Sequence, residues 1–161
     1  MLYKKTLEYV CNKRGLRPNF PNTPWAATTF NLGSNVVSIP HLDCANLAFG
    51  WCSVTAFGDF DPDAGGHMVL WDLGVYIRFP PGSTIIIPSA LITHSNLPIK
   101  PGEKHSSITH YTAGSLFRWR YNDGCTDKQF EKTASKADKL QKKHDNESRW
   151  DDEALKYFPK P

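Results

Sequence analysis

Between residues 28 and 119 the chain is a succession of short β-branched runs cut by turn signals, and this pattern limits the fold more than any other feature. The runs fall at 36–39, 49–57, 67–79, 84–87 and 107–111. Between them stand Gly33-Ser34-Asn35, the stretch from Asp59 to Gly66, Pro80-Pro81-Gly82-Ser83 and Lys100-Pro101-Gly102-Glu103. Glycine supplies positive φ and proline presets φ at a turn corner, so each cluster favours chain reversal. Short strands at this spacing predict a mainly β sandwich or barrel.

The flanks differ. Leu7, Val10 and Cys11 fall at helical spacing within 3–14, which predicts a short helix. Pro18, Pro21 and Pro24 then enforce an extended approach. After Gly124 the composition turns to Lys, Asp, Glu, Gln and Ala, and 127–144 suits a surface helix with Phe130, Ala134, Ala137 and Leu140 as a thin apolar stripe. Trp150, Leu155 and Phe158 are expected to pin the tail onto the barrel. The expected organisation is a single domain over 1–161: helix and lead-in at 1–27, β-barrel core at 28–121, helical tail at 125–161.

With 161 residues, 40 % of them hydrophobic, the chain suits one globular core. No run approaches the roughly 18 apolar residues of a membrane helix. No apolar segment follows Lys4 and Lys5, so no signal peptide is read and an intracellular location, nuclear or cytoplasmic, is expected. Cys11, Cys44, Cys52 and Cys125 show no zinc-finger spacing and are expected as free, mostly buried thiols. Net charge is only +3, and residues 18–124 carry five basic side chains against seven acidic ones. A strongly basic nucleic-acid groove is therefore not indicated, although Lys4, Lys5, Lys13, Arg14 and Arg17 cluster near the N-terminus.

The sharpest local feature is His41-Leu42-Asp43. In extended chain, residues two apart share a face, so the imidazole and the carboxylate can reach one ion. His94 follows a buried-strand run about fifty residues later and supplies a third ligand. Two histidines and a carboxylate on one face of a metal leave positions open for a co-substrate and oxygen, the pattern of non-haem Fe(II) oxygenases.

Several stretches carry a family resemblance. They are Pro40–Asn46, Phe49–Thr55, Gly65–Leu73, Phe79–His94 and Thr109–Trp119. Across roughly Asn19 to Trp119 the sequence resembles the 2-oxoglutarate/Fe(II) dioxygenases, and more narrowly the small TET/JBP-like oxygenases of mushroom-forming fungi. The resemblance implies a double-stranded β-helix core of the jelly-roll or cupin-like kind. It implies Fe(II) held by His41, Asp43 and His94, with 2-oxoglutarate and O2 as co-substrates. It also implies that Asn46 lies near a target base and that His67 helps hold the 2-oxoglutarate carboxylate. The substrate it suggests is a methylated nucleobase flipped from a duplex.

The sequence departs from that family at one position. Where the final strand usually carries Arg-x-Ser, this chain has His105-Ser106-Ser107. Alternation puts His105, Ser107 and Thr109 on the inner face and His110 outside. Imidazole cannot form the two-pronged hydrogen bond that guanidinium gives a carboxylate. Lys104 or Arg78 is the candidate to compensate. Two other readings remain: a cupin-like centre of His41, His94 and His105 that does not use 2-oxoglutarate, and a degenerate oxygenase kept as a binding module.

Overall fold

A computed structural model describes residues 2–153. Helix α1 (Leu2–Arg14) leads into β1 (Ala27–Asn31), β2 (Cys52–Asp59), β3 (Met68–Leu70), β4 (Val75–Ile77), β5 (Thr84–Ile87), β6 (His94–Asn96) and β7 (Lys104–Tyr111). Helices α2 (Gly114–Tyr121), α3 (Asp127–Thr133) and α4 (Lys136–Glu153) complete the described chain. No helix among the described residues is long and apolar enough to cross a membrane.

The strands form two antiparallel sheets, one ordered β1-β7-β2-β5 and the other β4-β3-β6. From β2 onward the chain moves back and forth between them. The stretch from Asn35 to His41 straps the two together, bridging His105 of β7 at one end and His94 of β6 at the other. This winding is a double-stranded β-helix, as expected. Cys52, Ala56, Phe60, Met68, Leu70, Phe79, Ile87 and Ile99 form the core. Their burial supplies the main drive for closing the sheets.

Two glycines shape the barrel. At Gly74 (φ +62°) the chain reverses after a 3-10 turn at Trp71–Leu73. The run 67–79, read as one strand, is thereby folded into the β3–β4 hairpin. At Gly58 (φ +134°), opposite His105, a Cβ would collide with the Lys104 carbonyl, so only glycine lets β2 and β7 approach there.

Other sequence expectations need correction. Residues 36–39 form no ladder and are held through the bridges beside them. Strands β1 and β6 were not among the expected runs. The span 28–121, expected as β throughout, ends in helix α2. Its Phe117 and Trp119 pack edge-on against Tyr3 and Tyr9 of α1. The expected helix over 127–144 is two helices. Thr126 and Gln129 form a capping box at the start of α3, and Ser135 exchanges hydrogen bonds with Asp138 at the start of α4. Leu140 is 70 % exposed and Ala137 is exposed, so the stripe is no core-facing seam. The expected packing of Trp150, Leu155 and Phe158 lies outside the described residues. All four cysteines are free, but only Cys52 is buried, and Cys44 is exposed.

Part of the basic N-terminal cluster is engaged within the fold. Lys13 lies 3.7 Å from Asp123, and the Arg14 guanidinium sits over the Trp119 ring.

Candidate metal centre

The strap and β6 meet at His41 and His94. Each backbone N–H donates to the other's carbonyl, at 3.1 and 3.0 Å, which brings the two ring centroids to 4.4 Å. Both imidazoles are locked by the same local device. His41 Nδ1 is 2.8 Å from the Ile39 carbonyl, and His94 Nδ1 is 2.9 Å from that of Ile92. A carbonyl only accepts, so each Nδ1 must carry the proton. Each Nε2 is then left with its lone pair, the form in which histidine binds metal.

Asp43 completes the group. One ligand atom from each of His41, Asp43 and His94 lies within 4.8 Å of the others. His41 Nε2 and Asp43 Oδ1 are 3.8 Å apart. Ligand atoms on one face of an ion, each at about 2.0–2.2 Å, stand about 3 Å apart, so the three would draw closer on binding. His94 is buried, and the side chains of His41 and Asp43 are partly exposed. The site therefore has a solvent-facing side.

Asp43 is itself held. Its N–H donates to the Ser89 carbonyl at 2.9 Å. The Asn46 side-chain amide donates to Asp43 Oδ2 at 3.3 Å and to Ser89 Oγ at 3.2 Å. Ser89 is buried and also hydrogen-bonds Cys52, whose thiol burial pushes up to about 11. Ser89 was not singled out from sequence. Nothing in Pro88-Ser89-Ala90 distinguishes it from a serine in a turn.

The three residues open onto a cavity of about 580 Å3 between the sheets. His105 and Ser107 line it with Thr109, as alternation along β7 requires, and the missed strand β1 adds Thr29 and Asn31. His105 is buried. Its Nδ1 donates to the Val36 carbonyl at 2.9 Å, its Nε2 has no hydrogen-bond partner, and Phe60 packs edge-on against the ring. Burial pushes its pKa below the ordinary 6.5, with the Val36 hydrogen bond opposing more weakly. Neutral and with Nδ1 protonated, it presents a lone pair at Nε2. Ser107 Oγ accepts from Asn31 at 3.0 Å and keeps its own proton to donate.

No lysine or arginine is among the lining residues. Arg78 is paired with Asp63 at 2.5 Å, and Lys104 is an exposed residue on the other face of β7, so neither compensates as expected. His105 is also outside the group that can hold an ion, which removes the observation a three-histidine centre would need. His67 is absent from the cavity lining as well. Its ring packs against Tyr76 and its Nδ1 is buried without a partner. His110 lies opposite, bonded to Thr28 and stacked on Trp25.

No protein-family profile matches the sequence, and no curated protein matches it significantly. Among solved structures, NgTET1 in complex with 5mC DNA is similar at 20 % identity, covering 58 % of this chain and 36 % of that one, with a TM-score of 0.49. A viral collagen prolyl hydroxylase from Paramecium Bursaria Chlorella virus-1, in its 2OG complex, is similar at 17 % identity, covering 66 % of this chain and 68 % of that one, with a TM-score of 0.38. The chain thus spans about a third of the NgTET1 chain.

Proposed function

We propose that the chain is a non-haem Fe(II) oxygenase using 2-oxoglutarate, with His41, Asp43 and His94 as metal ligands. One observation carries this reading: two histidines whose Nδ1 protons are taken by backbone carbonyls stand with a carboxylate in one group whose ligand atoms lie within 4.8 Å of one another. The donor set of two imidazoles and one carboxylate suits Fe(II) and leaves sites for a chelating oxo acid and oxygen. When bound, the metal and the oxo acid supply oxygen activation coupled to decarboxylation of the oxo acid.

The protein's share is orientation, exclusion of water and control of charge. His41 and His94 are presented in the ligating tautomer before metal arrives. The hydroxyl- and amide-bearing wall of β1 and β7 receives the far end of the oxo acid, with Ser107 Oγ–H as a donor to its carboxylate. His105 can join only by accepting a proton at Nε2, because in the neutral ring that atom repels an anion. Co-substrate binding is therefore coupled to proton uptake. The TET-like stretches around His41 and His94 support a methylated nucleobase as the substrate.

The test is anaerobic addition of Fe(II) and then 2-oxoglutarate, read by the visible charge-transfer band, followed by succinate release in air. A band that appears with wild type and is lost in His94→Ala supports the reading. Oxygen consumption that depends on Fe(II) but not on 2-oxoglutarate contradicts it.

A further inference from the structure

Asn46 lines the metal cavity and also a neighbouring cavity of about 660 Å3 between the barrel and helices α2 and α4. Its position invites assignment as a substrate contact. The hydrogen bonds point elsewhere. A carboxylate can only accept, so the atom of Asn46 facing Asp43 Oδ2 must be Nδ2, and the same amide nitrogen gives its second proton to Ser89 Oγ. Both amide protons are thereby committed inside the protein. The backbone reinforces this. Asn46 N–H donates to the Asp43 carbonyl at 2.9 Å, and Gly114 N–H donates to the Ala45 carbonyl at 2.8 Å, fixing the turn against the start of α2.

The two oxygens of Asp43 therefore have separate duties. Oδ1 faces His41 Nε2 at 3.8 Å, while Oδ2 is held by Asn46. We infer that Asn46, braced by Ser89, is a positioning residue that makes Asp43 a one-oxygen ligand through Oδ1. This inference rests on the metal site proposed above and goes beyond it. A carboxylate free to swing can chelate through both oxygens and occupy a position that an incoming ligand needs. Holding Oδ2 keeps that position open and reduces the freedom lost when the metal binds. Partners of this kind typically alter metal affinity by about 10–100-fold.

Titration of the 161-residue protein with Co(II), followed by calorimetry and by the visible spectrum of the bound ion, tests this without turnover. Asn46→Ala should weaken Co(II) binding by about 10–100-fold and shift the bound-ion spectrum, with the apo-protein melting temperature little changed. Ser89→Ala should act in the same direction with a smaller effect, and provides the reading if Asn46→Ala fails to fold. Asn46→Ser, which retains a short donor, should restore part of the affinity. An unchanged Co(II) affinity and spectrum in Asn46→Ala would overturn the inference and return Asn46 to the substrate side. Failure of the wild type to bind Co(II) would instead overturn the metal site itself.

Discussion

The two ends of the cavity use the same device and reach different chemistry. At one end His41 and His94, at the other His105, each give an Nδ1 proton to a backbone carbonyl and keep Nε2 free. Two such nitrogens beside a carboxylate make a cation site. One alone, buried and with no lysine or arginine along the cavity wall, is an acceptor facing whatever occupies that end. What a histidine does is thus set by its neighbours as much as by its tautomer. The metal end is prepared in advance, and the far end becomes complementary to an anion only on protonation.

The largest effects are expected at the metal end. Asp43→Ala or His94→Ala removes a proposed ligand outright, and metal affinity should fall by more than the roughly 100-fold ceiling of an outer partner. Calorimetry with Fe(II) under argon checks this. At the far end, His105→Arg supplies a permanent cation. Gaining a charge-assisted hydrogen bond of about 1.5–3 kcal/mol should tighten 2-oxoglutarate binding roughly 10–100-fold, with Fe(II) affinity unchanged.

Acidity separates the ends next. The free-state pKa of His105 lies below 6.5, and an adjacent carboxylate must raise it in the complex. Between those two values wild-type affinity for 2-oxoglutarate should fall as pH rises, by up to about tenfold per unit. Pyruvate has the same chelating end but no second carboxylate, so it should lack this component. His105→Arg should abolish it. The groups packed around His105 include Gly58 of β2, Ser34 just before the strap, Val36 of the strap, and Phe60, none of them charged. The neighbours Asp59 and Lys104 are exposed.

A smaller effect concerns stability. Because folding lowers the pKa of His105, this residue costs the folded state nothing above pH 6.5. As pH falls below that value the unfolded chain takes the proton first, so stability declines until the folded pKa is reached. Melting curves of His105→Leu should lose part of that acid-side decline. The smallest change is expected for His110→Ala, on the opposite face of β7, which should leave metal and oxo-acid titrations at wild-type values.

The grouping of His41, Asp43 and His94 was legible because extended chain has a period of two. That period puts His41 beside Asp43, and a glycine-turned hairpin brings a distant histidine back to them. The same period correctly sent His105 and Ser107 inward and His110 outward. It misled at α2, where Phe117-Arg118-Trp119-Arg120-Tyr121 alternates like a half-buried strand. Packing of Phe117 and Trp119 on α1 decides for helix, and only tertiary structure reveals it. Strand β6 is three polar residues, His94-Ser95-Asn96, with no apolar signature, since a buried position is taken by His94. The Ser135–Asp138 cap that marks the α3–α4 break was passed over when 127–144 was read as one helix. His67 could be placed only by the fold, because its surroundings depend on how β3 turns into β4.

In the proposed centre His41 and His94 ligate through Nε2 beside Asp43 while His105 stands apart. Pulsed electron-spin-echo spectroscopy of the Cu(II)-substituted protein tests it most directly, by counting the remote Nδ1 nitrogens of bound imidazoles. Two are expected in wild type, one in His94→Ala and two in His105→Ala. Three in wild type, falling to two in His105→Ala, would contradict it.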